Sequence, residues 1–292
     1  MRVFITGIRG FTGRYLAAEL ARLGHEVLGA VDILERETLT LQIQSFQPHW
    51  VFHLAAKSFA GDHDQSKLDQ INVQGTLNLL HALVQLKHRP LGVLIPSSAT
   101  VYDSSQITSE PVREDFPLKP HHAYAKSKLA MEQVVLSMFD RLPLILVRPF
   151  NYTGVGQSIR FIIPKMIHHF SQRLSSIELG NILISREFMD VETVVQIYIA
   201  LMRSSHRQVI VNVCQGRCYS LQSILESLSQ MAGYTIEVVQ HPDLVRRHEP
   251  SILQGDPTFL MKLIDVQHSP TSEDLMALLT KMYHHAKLRA VF

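Results

Sequence analysis

Eight residues near the amino end restrict the fold more than anything else in the chain: Thr6-Gly7-Ile8-Arg9-Gly10-Phe11-Thr12-Gly13. They stand where a short apolar run, 2–6, gives way to a helical period that puts Leu16, Leu20 and Leu23 on one face before Gly24. In such a strand–turn–helix, Gly7 permits the tight turn, Gly10 lets backbone approach a pyrophosphate, and Gly13 lets the helix lie close to the strand. The start of the helix then offers free N–H groups and a partial positive charge to phosphate oxygens. A dinucleotide suits this setting, with Arg9 and Phe11 as the side chains the loop contributes.

The rest of the first half agrees. Runs at 26–31, 50–54, 92–96 and 144–147 are continuously Val/Ile/Leu-like, as strands buried on both faces should be. Helical periods lie between them, one over 71–86 and another after Ala123. The alternation predicts an α/β fold, a Rossmann-type doubly wound parallel sheet. After Pro149 the texture turns irregular, with helices near 164–170, 188–202 and 221–231 and a strand at 209–213 returning to the sheet. The expected organisation is a dinucleotide-binding domain over 1–150, rejoined by 188–214, and a smaller interleaved lobe of 151–187 and 215–292.

Composition sets few further limits. The chain has 292 residues, 46% hydrophobic and 18% charged, with a net charge of +2, which argues against a broad nucleic-acid footprint. The opening MRVFITG reads as a strand running into a turn rather than a signal peptide, and no apolar run reaches membrane-spanning length, so the cytoplasm is the expected compartment. Cys214 and Cys218 read as free thiols, and no His/Cys/Asp set among the 16 histidines has zinc-ligand spacing; no metal is expected.

Two segments carry chemistry. Tyr124 and Lys128 are four apart and share a helical face, so a phenol and an ammonium can converge on one ligand. A nearby positive charge stabilises phenolate, which makes Tyr124 a usable acid or base near neutrality. Leu94-Ile-Pro-Ser-Ser-Ala-Thr-Val-Tyr102 is an apolar strand that breaks into hydroxyl residues, offering Ser98 first and Thr100 second.

The G-x-x-G-x-x-G spacing resembles the extended short-chain dehydrogenase/reductases, as do Ser-Ser-Ala-Thr-Val-Tyr and Tyr-x-x-x-Lys. The resemblance implies a catalytic Ser98, Tyr124 and Lys128 and a nicotinamide cofactor, NADH or NADPH. It places His53-Leu54-Ala55-Ala56 beside the adenine and ribose, and Asn72 behind the active site. Two departures stand out: Pro96 lies in the strand, and Asp103 replaces the glycine after Tyr102. Asp32, 19 residues after Gly13, has two readings. It binds the adenosine ribose and favours NAD, or it belongs to an adenine-contacting segment fused onto a shortened second strand, leaving Arg9 for a 2′-phosphate.

Later segments resemble the branch acting on GDP-6-deoxyhexoses: Arg148-Pro-Phe-Asn151 through Gln157, Leu179-Gly-Asn181, Ser185-Arg186-Glu-Phe-Met-Asp190, and Arg246-Arg-His-Glu249 with Gly255-Asp256-Pro257. The implied substrate residues are Asn151, Asn181, Arg186, Arg246 and Glu249, with the arginines forking onto a diphosphate. Dehydratases of this group carry an acid directly after the catalytic hydroxyl. Here Ala99 and Thr100 stand there, so the expectation is reduction of the C4 ketone of a nucleotide-linked 4-keto-6-deoxyhexose. A nucleotide-sugar 4-epimerase and a non-catalytic dinucleotide sensor stay open. Relatives pair helices after Gln70 and Ala123 between subunits, which implies a homodimer; the stripe Ala130, Val134, Met138 suits that or internal packing. The tail after Asp256 departs from the family pattern.

Overall fold

The computed structural model describes residues 1–290 apart from 60, 62, 109, 246–248 and 265–273. In chain order its regular elements are β1 (Arg2–Thr6), α1 (Phe11–Arg22), β2 (Glu26–Gly29), α2 (Arg36–Phe46), β3 (Trp50–His53), α3 (Gln65–Asp69), a π-turn (Gln70–Gln74), α4 (Gly75–Val84), β4 (Gly92–Pro96), α5 (Ala123–Leu136), β5 (Leu144–Pro149), β6 (Tyr152–Thr153), α6 (Ile162–Ser171), β7 (Ser176–Leu179), β8 (Ser185–Arg186), β9 (Met189–Asp190), α7 (Val191–Arg203), β10 (Val209–Val213), β11 (Tyr219–Ser220), α8 (Leu221–Ala232), β12 (Glu237–Gln240), β13 (Ile252–Leu253), α9 (Thr258–Leu263) and α10 (Leu275–Ala290).

Six strands form one parallel sheet in the order β10-β5-β4-β3-β1-β2. Because β2 lies on one side of β1 and β3 on the other, the chain reverses its winding between β1 and β3, and a crevice opens there at the carboxyl ends of the strands. The sheet is covered on both faces. Val3, Ile5, Phe52, Leu94 and Val147 meet α1 and α7 on one face, while Phe4, Val51, Val93, Ile95 and Leu146 meet α2, α4 and α5 on the other. Each such side chain contributes about 1.5–3 kcal/mol on burial, so strands sandwiched this way need continuous apolar runs. A separate core, built from α6, α8, α10 and β7, gathers Ile163, Phe170, Ile224, Leu228 and Leu279.

Several expected boundaries move, each for a local reason. β2 stops at Gly29 rather than 31 because the Gln42 side chain takes over the edge, accepting from Val31 N and donating to Gly29 O, both at 3.0 Å. In place of one helix over 71–86, the chain forms α3, a π-turn and α4 in succession from Gln65 to Val84, with Asn72 inside the turn. The helix expected from 188 begins at Val191, since Asp190 caps it by accepting from Glu192 N while Met189–Asp190 pairs with β6. β5 continues two residues past 147, to Pro149. After α1, Gly24 takes φ +76° and its N–H reaches Ala21 O while His25 N–H reaches Leu20 O, closing the helix in a Schellman turn. Met138 is buried in the sheet's second core and Val134 packs against it, so that part of the stripe serves the chain's own interior. Among the described residues no helix is long and apolar enough to cross a membrane.

Candidate active site

The glycine loop closes on itself and on the end of β3. Gly7 has φ +71°, and its carbonyl accepts from Gly10 N at 2.9 Å. A Cβ on Gly13 would stand 2.2 Å from that carbonyl, and one on Gly7 would stand 2.6 Å from Ala55 N. Only glycine fits at either place. Gly10 is the N-cap of α1, and among the described residues no side chain caps the helix, which leaves its first N–H groups open at the end of the glycine loop. That bare helix start, beside Leu54, Ala55 and Ala56, fits a dinucleotide pyrophosphate. Arg9 is exposed and free of ion pairs among the described residues. Phe11 stacks on Tyr152 with centroids 6.2 Å apart, and Thr12 Oγ1 bonds the Tyr152 hydroxyl at 2.9 Å.

Behind the crevice a hydrogen-bonded chain sets the backbone. Thr76 Oγ1 donates to Asn72 O at 2.6 Å, so its contact with His53 Nε2 at 2.8 Å is one in which the ring donates. His53 Nδ1 then accepts from Thr6 Oγ1 at 2.7 Å, and Thr6 Oγ1 in turn accepts from Ala55 N at 3.1 Å. Burial, then the Lys128 charge, pushes His53 down to about 3, so the ring stays neutral. Asn72 accepts from Lys57 N and donates to Ser127 Oγ, both at 2.9 Å, tying this segment to α5.

Ser98 follows the carboxyl end of β4 beside Tyr124, and Lys128, one helical turn further along α5, reaches back to the same strand end. Ser98 Oγ accepts from Thr100 N at 3.2 Å and Thr100 Oγ1 at 2.9 Å, and the side chain stands near enough to the Tyr124 phenol to lower its pKa. With two donors on its lone pairs, the Ser98 hydroxyl has its own proton left to give. Tyr124 is buried, and burial raises its pKa against the lowering effect of Ser98. Lys128 Nζ donates to Pro96 O at 2.8 Å; burial pushes it down to about 8, with Glu132 opposing. Pro96 therefore closes β4 and presents its carbonyl to Lys128.

The expected substrate residues are partly brought together. Arg186, 8% exposed on β8, donates to Ser185 O at 2.7 Å and pairs with Glu249 at 3.1 Å. Asn151 is exposed beside the cleft, its carbonyl accepting from Met189 N at 3.0 Å. Asn181 Oδ1 is already engaged, accepting from Leu183 N at 3.0 Å, so its amide NH2 is what remains to offer. Arg246 lies outside the described residues. Asp32 lies beyond β2 in a turn, with Oδ1 accepting from Leu34 N at 2.9 Å, while Ile33 O takes Asn78 Nδ2 at 3.1 Å and the Ile33 side chain lies against Gly75.

Residue patterns did not single out Tyr152 or Glu187. Tyr152 follows Asn151 and offered no spacing signal. Glu187, fully buried, accepts from Gly255 N at 2.6 Å, Gln215 N at 2.7 Å and Gly216 N at 3.2 Å, tying two loops to the segment that carries Arg186. Burial pushes its carboxyl up to about 7, those N–H groups opposing.

Comparison with known proteins bears on the whole chain. A family model described as NAD dependent epimerase/dehydratase family matches residues 3–214. GDP-6-deoxy-D-talose 4-dehydrogenase of Aggregatibacter actinomycetemcomitans is 30% identical over 99% of each chain. GDP-6-deoxy-D-mannose reductase of Pseudomonas aeruginosa is 33% identical over 87% of this chain and 88% of that one. The structure of RMD from Pseudomonas aeruginosa complexed with NADPH superposes with a TM-score of 0.86 at 28% identity, covering 99% and 98% of the two chains. On a family model spanning residues 3–214 and relatives 30% and 33% identical over most of its length, the chain belongs to the NAD dependent epimerase/dehydratase family, within the extended short-chain dehydrogenase/reductases, as an NAD(P)-dependent enzyme of nucleotide sugars.

Proposed function

We propose that this enzyme reduces the C4 ketone of GDP-4-dehydro-6-deoxy-D-mannose with NADPH, giving GDP-D-rhamnose. The observation that carries the reading is the convergence of Ser98, Tyr124 and Lys128 at a site whose next two residues, Ala99 and Thr100, contain no carboxylate to expel a hydroxyl.

Gly7, Gly10 and Gly13 with the start of α1 hold the cofactor's pyrophosphate, Leu54, Ala55 and Ala56 flank its adenosine, and the cofactor, when bound, supplies the hydride. Ile33, folded against α4 with exposed Asp32 beside it, supports the adenine-contacting reading of that segment. No carboxylate then guards the ribose, and exposed Arg9 is free for a 2′-phosphate, which favours NADPH. Tyr124 donates its phenolic proton to the substrate oxygen as charge develops there. Lys128 tunes the phenol and reaches the nicotinamide ribose. Thr100 orients Ser98, whose hydroxyl keeps its proton and donates a hydrogen bond to the reacting carbonyl. Arg186, with Arg246, Asn151, Asn181 and Glu249, forms the nucleotide-diphosphate and sugar side of the cleft. The enzyme works in the cytoplasm as a homodimer, and its substrate lobe comprises 151–187 and 215–292.

Purified protein given GDP-4-keto-6-deoxymannose should consume NADPH and, less efficiently, NADH, with a product carrying a C4 hydroxyl by NMR. Tightly co-purifying NAD and no net oxidation would replace this reading with 4-epimerisation. Retained cofactor-dependent function in a Tyr124→Phe variant would point to a sensor.

A further inference from the structure

Asp103 stands where the family's serine motif has glycine, and none of the roles above uses it. Its side chain is 2% exposed, yet it is fully partnered. Oδ1 accepts from Ser105 Oγ at 2.6 Å, Ser105 N at 3.1 Å and His121 Nε2 at 3.2 Å, and Oδ2 accepts from Gln106 Nε2 at 2.6 Å. The bonds from Ser105, Gln106 and His121 hold this carboxyl well below the usual range against its burial, so it is a permanent anion.

The backbone around it joins two parts of the active site. Asp103 N donates to Pro117 O at 2.8 Å, Lys119 N donates to Val101 O at 3.1 Å, and Tyr102 bridges Leu118 antiparallel. On one side lies the turn at 99–101 that holds Ser98 and Thr100. On the other, 117–122 leads directly into α5. His121 is next to the N-cap of that helix, His122, whose Nδ1 accepts from Ala125 N at 3.3 Å and whose ring stacks on Tyr124 with centroids 6.0 Å apart. The Asp103–His121 bond extends that backbone ladder by a side-chain tie two residues beyond Lys119, next to the N-cap of α5. Glycine could make none of these side-chain bonds.

We infer that Asp103, acting through His121, is a positioning residue for the proton donor: it clamps the first turn of α5 to the serine turn, so that the Tyr124 phenol meets Ser98. The inference rests on the proposed roles of Ser98 and Tyr124, and it assigns neither Asp103 nor His121 any contact with substrate.

The test uses the full-length enzyme with His121→Ala, His121→Gln, Asp103→Asn and the His121→Ala/Asp103→Asn pair, read by steady-state kinetics and by amide hydrogen exchange. His121→Ala should lower kcat roughly ten- to hundredfold, the scale of loss from small misplacement of a reacting group, with both KM values nearly unchanged. It should also speed exchange at Ala125 and Lys126 while α1 stays as in the native enzyme. His121→Gln, which offers an N–H donor at similar reach, should restore most of both. The double variant should be no worse than the poorer single one. Unchanged exchange and kcat in His121→Ala, failure of glutamine to rescue, or losses that multiply in the double variant would each overturn the clamp. His121 is partly exposed, so its variants decide the matter even if Asp103→Asn fails to fold. Exchange does not need turnover: a native enzyme inactive on the ketone removes the reductase reading and leaves the clamp to be judged by exchange.

Discussion

Arg148 meets Glu132 through both prongs of its guanidinium, Nε to Oε1 at 2.9 Å and Nη2 to Oε2 at 2.7 Å, in a pair only 3% and 1% exposed. The pair ties β5 to α5 one helical turn beyond Lys128. Its other nitrogen, Nη1, reaches Glu114 O at 3.0 Å and the Tyr102 hydroxyl at 3.2 Å, and that hydroxyl donates to Asn212 Oδ1 at 2.6 Å. The strand that closes the sheet, the serine loop and the helix carrying Tyr124 and Lys128 are thus held by one buried network.

Removing one member should be worse than removing both. Glu132→Ala leaves a buried guanidinium without its counter-charge, a loss of about 3–5 kcal/mol. Glu132→Leu combined with Arg148→Met replaces the charges by apolar volume and should recover much of that loss. Urea denaturation of the single and double variants measures it; a single variant as stable as the native chain would show that water relieves the stranded charge.

Lys128 gives opposite pH trends for stability and activity. Its folded pKa is depressed from 10.5 to about 8, so the folded state binds fewer protons than the unfolded chain between those values. Its destabilising effect is fully present below about 8 and fades as pH rises toward 10.5. Activity should go the other way, because only the ammonium favours phenolate at Tyr124. A kcat/KM profile falling above about pH 8, beside rising resistance to urea over the same range, is the expected pair of results. Lys128→Met should flatten the stability trend and abolish most of the turnover.

How much of this was legible in sequence depends on how local each cause is. The cradle of Gly7, Gly10 and Gly13 and the Tyr124–Lys128 spacing lie within one turn or helix, so residue types alone disclose them. The shortening of β2 does not, because it depends on Gln42 folding back from α2 onto Gly29 and Val31. The π-turn at Asn72 likewise requires Lys57 and Ser127 as partners, 15 and 55 residues away. Glu187 reads in sequence as one more acid; its role exists only once Gln215, Gly216 and Gly255 converge on it. The Asp103 departure was visible as a departure, but its meaning needed His121 across an 18-residue loop.

The glycines separate cofactor binding from simple backbone strain. Gly13→Ala would drive a methyl to 2.2 Å from Gly7 O and 2.8 Å from Ile8 Cα, both backbone atoms that cannot swing aside. The loop must open, so NADPH affinity should fall at least tenfold, about 1.4 kcal/mol or more. Gly24→Ala meets open space and only the cost of φ +76°, roughly 1–2 kcal/mol of stability, with cofactor affinity unchanged. Fluorescence titration with NADPH and thermal melting of both variants distinguish the two; equal cofactor affinity in both would mean the loop does not grip the pyrophosphate.

Arg186 tests the substrate side. Its guanidinium sits on β8 against Glu249 at 3.1 Å and is backed by the buried Glu187 clamp, so its fork is fixed before any ligand arrives. A diphosphate needs that planar, two-pronged geometry, which lysine cannot supply with a single ammonium. Arg186→Lys should therefore raise KM for the nucleotide sugar by about tenfold or more, some 1.4 kcal/mol, while kcat stays within a few-fold because the proton and hydride are handled elsewhere. Glu249→Gln removes the competing anion and keeps the side chain's shape, so inhibition by free GDP should tighten modestly. Parallel KM, kcat and GDP-inhibition measurements on the two variants decide it: a fall in kcat with KM intact would move Arg186 from the diphosphate to the reacting sugar.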